Sequence, residues 1–218
     1  GADLPMCNME HHYIVTGPVP EFMDRDEEIP VIRDSHASSY IRQEQQYAVI
    51  GNYEQLGMTQ AWAPRGFPGW DSDSELFPED LDRLMPWLGH AMARVPILEN
   101  AGIKRIINGA ISQSADGPPM LGPVAGIKNF WMCCGSSFGI AQGACAGKYL
   151  AQWILHGDSE INMTGYDPRR FGGYADDDYM LAKGFQDYGL TYITPLPGEE
   201  FPAGRPSRTS PLYDKLCQ

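Results

Sequence analysis

Short runs of β-branched and aromatic residues, partly alternating with polar residues, mark the first quarter of the chain. Four such runs cover residues 12–17, 29–34, 39–44 and 47–54, with short turn-like segments between them. Alternation with a period of two is typical of strands that bury one face, and short connections favour antiparallel neighbours. This part of the sequence therefore predicts an antiparallel sheet.

A loop and then a helix are predicted after the sheet. Residues 55–78 are rich in Trp, Gly and Pro, which is typical of a loop. Pro78 suits the first turn of a helix, and the carboxylates of Glu79 and Asp80 suit its positive end. Pro86 lies within the helical pattern and predicts a kink or an interruption. The apolar stripe of this helix consists of Leu81, Leu84, Leu88 and Met92.

The second half of the chain predicts strands, a long helix and a turn-rich tail. Residues 104–113 and the apolar run 129–134 are predicted strands, the latter buried, and the proline-dense DGPPMLGP between them is a predicted turn. A helix over 139–156 is expected to stop at Gly157. Then follow a turn-rich stretch, a short helix over 176–188 and a proline-rich extended segment. Together these elements predict an α+β fold.

Composition narrows the class of protein. A net charge of −12 argues against binding to nucleic acid or to an anionic membrane surface, since both require a basic face. No apolar run reaches the roughly 18 residues that span a bilayer. The five cysteines include no C-x-x-C pair, which favours free thiols in a reducing compartment, with Cys133 and Cys134 as small core residues. The chain lacks an initiator Met and a signal peptide, and we expect it to be a piece of a longer protein.

Glycines recur at every fourth position from Gly135 to Gly147, at the start of the long helix. The segment GACAGKY is one residue too short for a phosphate-binding P-loop, and no G-x-G-x-x-G occurs. One interpretation is that the small residues let a sheet approach the helix closely, and this explains Gly143 and Gly147 best. The other is that the loop 135–139 presents backbone N–H groups to a negatively charged ligand at a helix N-terminus. The two interpretations are compatible.

The order of several motifs resembles the dimethylglycine and sarcosine dehydrogenases, flavoenzymes of the D-amino-acid-oxidase-like superfamily. These motifs are EHHYIVT, DGPPMLGP, NFWMCCGSSFGIAQGACAGKYLAQWILHG, YDPRRFG and AGRPSRTSPLY. The resemblance implies an antiparallel substrate-binding sheet over residues 1–112 and the returning strand–turn–helix part of a Rossmann-like FAD domain over 113–157. It implies a small connecting domain over 158–218. The whole is then a fragment of a larger fold.

The resemblance also implies a site. In the family, a histidine in an H-x-Y motif and a tyrosine at the start of a Y-x-R-like strand flank the substrate amine. The matching positions in this sequence are His11 and Tyr40. Without the resemblance, both positions are more often structural, and His11 and His12 lack a third ligand for a metal. Arg42 and Arg105 have carboxylate-binding chemistry but no motif match. The flavin is expected against the loop before the long helix, formed by Gly135, Ser136, Ser137, Phe138, Gly139 and Ile140.

The implied activity is FAD-dependent N-demethylation of a small methylated amine, with hydride passing from an N-methyl carbon to the flavin. Electrons would go on to oxygen or to an electron-transfer flavoprotein. The family's ADP-binding βαβ unit and its tetrahydrofolate-binding domain have no counterpart in this sequence, so FAD should be held only together with an N-terminal segment. The expected location is the bacterial cytoplasm or the mitochondrial matrix. The alternatives are a noncatalytic subunit, like the regulatory subunit of pyruvate dehydrogenase phosphatase, and an inactive truncated product.

Overall fold

The computed structural model describes residues 2–63 and 66–217, and the chain divides into two compact units. The sheet unit comprises residues 9–111 and 188–199, and the hairpin unit comprises residues 1–8, 112–187 and 200–218. The strands are β1 (Met6–Thr16), β2 (Ile32–Asp34), β3 (Ser39–Glu44), β4 (Tyr47–Asn52), β5 (Ile103–Ser114), β6 (Met120–Pro123) and β7 (Trp131–Cys134). The helices are α1 (Pro20–Met23), α2 (Leu81–Arg94), α3 (Gly139–His156), α4 (Asp177–Leu190) and α5 (Tyr213–Leu216).

The sheet unit contains a five-stranded sheet in the order β2-β3-β4-β1-β5. Strands β2, β3, β4 and β1 pair as antiparallel neighbours, so the predicted antiparallel sheet and the α+β class are confirmed. β3 has the predicted bounds, whereas β1 begins six residues before the predicted run, at Met6. The predicted loop over 55–78 contains no regular helix or strand in its described part, and residues 64 and 65 lie outside the described residues.

The register of the sheet aligns four isoleucines in one row. Ile14 on β1 pairs with Ile50 on β4, Ile50 pairs with Ile41 on β3, and Ile41 pairs with Ile32 on β2. Directly paired residues lie on the same face of a sheet, so this row forms one apolar face. It packs with the buried side of α2, namely Leu84, Leu88 and Ala91, into the core of the unit.

Helix α2 differs from its prediction at two points. It begins at Leu81, and the Asp80 side chain caps it by accepting a hydrogen bond from the backbone N–H of Arg83 at 3.1 Å. Pro78 and Glu79 therefore precede the helix, because the aspartate side chain is the better N-cap. Pro86 does not interrupt the helix. Both Pro86 and Asp82, whose carbonyl loses its intrahelical donor, are exposed, so water can satisfy that carbonyl.

The hairpin unit pairs β6 with β7 in an antiparallel register from Met120↔Cys134 to Pro123↔Trp131. The segment predicted only as a turn thus also supplies a strand. β7 is less buried than predicted: Met132 is buried, Cys134 is half-buried and Cys133 is exposed. The prediction that Cys133 fills a core is therefore wrong, since it falls on the outer side of a two-stranded sheet. All five cysteines are free, as predicted.

Helix α3 has the predicted bounds, and Gly157 ends it with a φ of +78°. The helix is less buried than the predicted packing against a sheet requires: among its described residues, Leu150 is the only buried one. A Cβ at Gly143 or Gly147 would meet nothing within 4 Å. The prediction that Gly143 and Gly147 allow close packing of a sheet against the helix is therefore wrong for the described residues. Across residues 2–63 and 66–217, no helix combines the length and apolarity needed to cross a bilayer.

Candidate functional site

The face of the sheet opposite the isoleucine row carries aromatic and ionisable side chains. A second row runs in register from Tyr13 on β1 through Gly51 on β4 and Tyr40 on β3 to Arg33 on β2. His11 lies two residues before Tyr13, so the pleat directs it to the same face. The alternation along β1 and β3 therefore brings the predicted pair, His11 and Tyr40, to one surface.

His11 and Tyr40 lie close together among other tyrosine rings. The His11 ring centroid is 6.5 Å from that of Tyr40, 4.5 Å from that of Tyr53 and 5.8 Å from that of Tyr188. Tyr40 occupies the space left by a missing side chain, because a Cβ at Gly51 would lie 2.1 Å from Tyr40 Cζ. A glycine on the neighbouring strand thus determines where the Tyr40 hydroxyl lies.

Both predicted catalytic side chains are neutral at physiological pH. Burial, together with electrostatic interactions with His12 and Arg83, lowers the pKa of His11 to about 3. Burial also raises the pKa of Tyr40 to about 12, with Tyr192 and Tyr13 adding to the rise. His11 is therefore a neutral imidazole, and Tyr40 is a phenol that can donate or accept a hydrogen bond.

A buried polar chain connects His11 to helix α2. His11 Nδ1 lies 3.0 Å from the hydroxyl oxygen of Tyr188, which in turn donates to Glu54 Oε2 at 2.8 Å. The other carboxylate oxygen, Glu54 Oε1, lies 2.9 Å from Arg83 Nε, and the side chains of these two residues are 0% and 4% exposed. Burial raises the pKa of Glu54, and the positive charge of Arg83 opposes that rise.

His12 has different surroundings from His11. It is fully buried, and its Nδ1 lies 2.6 Å from Arg83 Nη2, while the backbone N–H of Asp80 points to its Nε2 at 3.3 Å. Burial, aided by the charge of Arg83, lowers its pKa to about 4. His12 therefore belongs to the polar contacts that hold the start of α2 against β1.

A cationic edge borders the tyrosines. The rings of Tyr53 and Tyr192 stack at 5.1 Å, and the Arg33 guanidinium carbon lies 4.3 Å above the Tyr192 ring. Arg33 also donates to the Thr191 carbonyl at 2.6 Å. Of the two arginines considered from the sequence, Arg42 is exposed and paired with Glu44 at 2.6 Å, and Arg105 is exposed on β5.

The predicted flavin loop lies in the hairpin unit. Gly135 is buried with a φ of +74°, a left-handed conformation that favours glycine. Phe138, Gly139 and Ile140 are exposed, while Ser136 and Ser137 are half-buried and Ser136 donates to Gln142 Oε1 at 2.9 Å. The first N–H groups of a helix have no intrahelical acceptor, and in α3 no N-cap side chain accepts from them. An open surface with exposed apolar side chains and available N–H donors fits an aromatic ring system with an electron-rich edge.

Four residues of this arrangement are missing from the sequence prediction: Tyr53, Glu54, Arg83 and Tyr188. Tyr53 could have been found, because it lies two residues after Gly51 and shares its face. The other three act through contacts between distant parts of the chain, which no local pattern reveals. Within the described ranges, no group of three His, Cys, Asp or Glu side chains could hold a metal ion.

Comparison with known families identifies most of the chain. The model for "FAD dependent oxidoreductase" matches residues 1–153, and that for "FAD dependent oxidoreductase central domain" matches residues 156–210. The L-proline dehydrogenase structure from P. horikoshii has a TM-score of 0.60 and 21% identity, covering 78% of this chain and 41% of that one. That likeness concerns the fold.

Curated relatives match over almost the whole chain. Mitochondrial dimethylglycine dehydrogenase from Rattus norvegicus is 39% identical over 99% of this chain and 26% of the relative. Mitochondrial sarcosine dehydrogenase from Homo sapiens is 32% identical over 99% of this chain and 23% of the relative. The mitochondrial pyruvate dehydrogenase phosphatase regulatory subunit from Mus musculus is 28% identical over 98% of this chain and 24% of the relative.

The chain spans about a quarter of the length of these curated relatives. The family resemblance drawn from the motifs is confirmed by the match over residues 1–153 and by the similarity to both dehydrogenases. The chain therefore belongs to the FAD dependent oxidoreductase family, as a segment similar to part of the dimethylglycine and sarcosine dehydrogenases.

Proposed function

We propose that this chain forms the substrate-facing sheet and part of the flavin contact of an enzyme that oxidises small N-methylated amines. The observation that supports this most directly is a neutral His11 beside Tyr40 on one face of the sheet. The names of two relatives, dimethylglycine and sarcosine dehydrogenase, supply the substrate class. When bound, FAD would supply the hydride acceptor.

His11 and Tyr40 would select the reactive form of the amine. An alkyl amine is mostly an ammonium ion at pH 7, yet only the free base has the lone pair that drives hydride out of the adjacent carbon. The burial and nearby positive charge that keep His11 neutral also disfavour an ammonium ion beside it. A neutral imidazole can accept the amine proton, and the Tyr40 hydroxyl can orient the nitrogen or a substrate carboxylate.

The loop from Gly135 to Ile140 would hold the flavin ring. Its backbone N–H groups at the start of α3 could stabilise the negative charge that develops on the ring during reduction. The remaining contacts to FAD, and any tetrahydrofolate site, would come from segments outside this sequence. We propose oxygen or an electron-transfer flavoprotein as the electron acceptor. The mitochondrial names of the relatives favour the mitochondrial matrix over the bacterial cytoplasm.

The test uses the complete flavoprotein that contains this segment, loaded with FAD and mixed anaerobically with dimethylglycine or sarcosine. We expect loss of the oxidised flavin absorbance, slowed by about 10²- to 10⁴-fold in His11→Gln, which is the range for a group that transfers a proton. Tyr40→Phe should also slow it. Tyr47→Phe is a matched control, because Tyr47 lies at the end of β4 away from Gly51 and Tyr40, where it contacts Gln46 and Lys104. Absence of bleaching, or equal rates in all four proteins, would contradict the proposal.

A noncatalytic role is the second candidate, because a phosphatase regulatory subunit is also similar over 98% of the chain. In that role, the tyrosine-lined face would serve structure or partner binding. Capture of a phosphatase catalytic subunit by the full-length protein, without any flavin reduction by methylated amines, would favour it.

A further inference from the structure

Three side chains from distant parts of the sequence line up behind His11. The Nδ1 of His11 is 3.0 Å from the Tyr188 hydroxyl, and that hydroxyl is 2.8 Å from Glu54 Oε2. Tyr188 and Glu54 are both fully buried, so solvent does not compete for these hydrogen bonds. The Arg83 guanidinium, 2.9 Å from Glu54 Oε1, completes the line.

The number of available protons determines which group donates and which accepts in each of these hydrogen bonds. Arg83 is always a cation and only donates, and its buried guanidinium lies 2.9 Å from Glu54 Oε1 and 3.8 Å from Glu10 Oε2, so the nearer carboxylate, Glu54, is favoured as an anion. An ionised carboxylate only accepts, which directs the single Tyr188 proton toward Glu54. The tyrosine oxygen then accepts from His11, so the proton of the neutral imidazole must be on Nδ1. The lone pair is left on Nε2.

We propose that Tyr188 and Glu54 are positioning residues that fix His11 as its Nδ1–H tautomer, making Nε2 a hydrogen-bond acceptor for the substrate amine. The identity of that ligand rests on the proposed function, whereas the tautomer itself does not. A substrate ammonium group can then donate its proton to Nε2. The opposite tautomer would instead donate Nε2–H to the amine lone pair, which must be free for hydride to leave.

A proton taken up by His11 is disfavoured by burial and by the nearby charge of Arg83, which hold the pKa of the imidazole at about 3. In the described residues of the buried network, Glu10 and Glu54 lie beside the cationic Arg83, and Asp80 adds an acidic side chain at the start of α2. The other titratable neighbours of His11 are His12, which is neutral, and the phenols of Tyr40, Tyr53 and Tyr188. When the amine proton moves to Nε2, the imidazolium keeps its Nδ1–H bond to Tyr188, and this hydrogen bond partly offsets the cost of a positive charge at a buried position.

Two substitutions test the direction of the chain. In Glu54→Gln, Arg83 requires the amide oxygen, so the amide NH₂ faces Tyr188 and donates to it. The Tyr188 proton then turns toward His11 Nδ1, and His11 should change to the Nε2–H tautomer. In Tyr188→Phe, the ion pair between Glu54 and Arg83 is kept, but Nδ1 loses its acceptor. Tyr179→Phe is the matched control, because Tyr179 is a buried tyrosine on the same helix, 5% exposed, with a T-shaped contact to Tyr174.

The first readout is the tautomer, measured by ¹⁵N NMR of histidine side chains in the 218-residue chain. His11 resonances are assigned as those that disappear in His11→Gln. We expect Nδ1–H in the wild type and in Tyr179→Phe, Nε2–H in Glu54→Gln, and loss of the Nδ1–H signature in Tyr188→Phe. If Glu54→Gln does not fold, Tyr188→Phe alone decides. An unchanged His11 tautomer in Tyr188→Phe, or an Nε2–H tautomer in the wild type, overturns the proposal.

The second readout is the pH dependence of flavin reduction in the complete flavoprotein. Loss of a hydrogen bond that stabilises the imidazolium should slow reduction at pH 7 about tenfold to a hundredfold and move the amine-deprotonation limb to higher pH. Tyr179→Phe should leave the limb in place. If His11→Gln leaves reduction unchanged, the proposed function fails, and the NMR result still decides the tautomer independently. A limb that does not move in Tyr188→Phe overturns the positioning role.

Discussion

Replacing Gly51 with alanine tests whether the position of Tyr40 depends on a missing side chain. The new Cβ would lie 2.1 Å from Tyr40 Cζ and 2.3 Å from its hydroxyl oxygen. Carbon atoms in contact are about 3.5 Å apart, so the ring must move by about 1.4 Å. The backbone of Gly51 does not have a positive φ, so the effect is steric and not one of backbone strain.

The size of the effect follows from this displacement. A misplacement of about 1 Å in a reacting group can cost roughly 10²-fold in rate, and we expect a loss of this size in flavin reduction by dimethylglycine. Forcing extra volume into a packed site should also lower the free energy of unfolding by about 1–3 kcal/mol. Anaerobic stopped-flow absorbance measures the first quantity in the complete flavoprotein, and denaturant titration measures the second.

Two comparisons separate this mechanism from general destabilisation. Gly89→Ala, on α2 of the same unit, meets nothing within 4 Å and should stabilise the protein by up to about 1 kcal/mol without slowing reduction. In a Tyr40→Ala background, Gly51→Ala should cause no further loss of rate, because the clashing ring is absent. A wild-type rate in Gly51→Ala, or an equal loss with and without Tyr40, would refute the reasoning.

Two further predictions concern folding. His11 and His12 have folded-state pKa values of about 3 and 4, below the ordinary 6.5, so the unfolded chain binds more protons and stability falls as the pH drops below about 6.5. From pH 7 to 5, each histidine should lower the free energy of unfolding by about 2 kcal/mol, as measured by denaturant titration. His12→Gln should remove its share of this pH dependence. The same dependence of unfolding free energy on pH in the variant would speak against the buried neutral state. Gly135→Ala should destabilise by about 1–2 kcal/mol, because alanine disfavours the φ of +74°, whereas Gly143→Ala, in open space on α3, should gain up to about 1 kcal/mol; equal melting behaviour of the two would count against this assignment.

Much of the fold was predictable because its signals are local. The bounds of β3 and α3 follow from alternation and from the stop at Gly157, and neither depends on distant residues. Predictions that depended on neighbours were less accurate. Cys133 is exposed because its strand belongs to a two-stranded sheet, and Pro86 is tolerated because its helix turns that side to solvent. Periodicity predicts which residues share a face, but not what covers it.

By itself, the sequence determined the α+β class, the family, and the choice of His11 and Tyr40 as candidates. Tertiary structure decided what surrounds them. His11 and Tyr188 are 177 residues apart, and Glu54 and Tyr188 are 134 residues apart, so their hydrogen bonds exist only after the chain has folded. The register brings Gly51 beneath Tyr40, and burial together with the nearby charge of Arg83 keeps His11 neutral. The sequence gives the type of each side chain, but its protonation state, tautomer and position depend on desolvation and on contacts with distant segments of the chain.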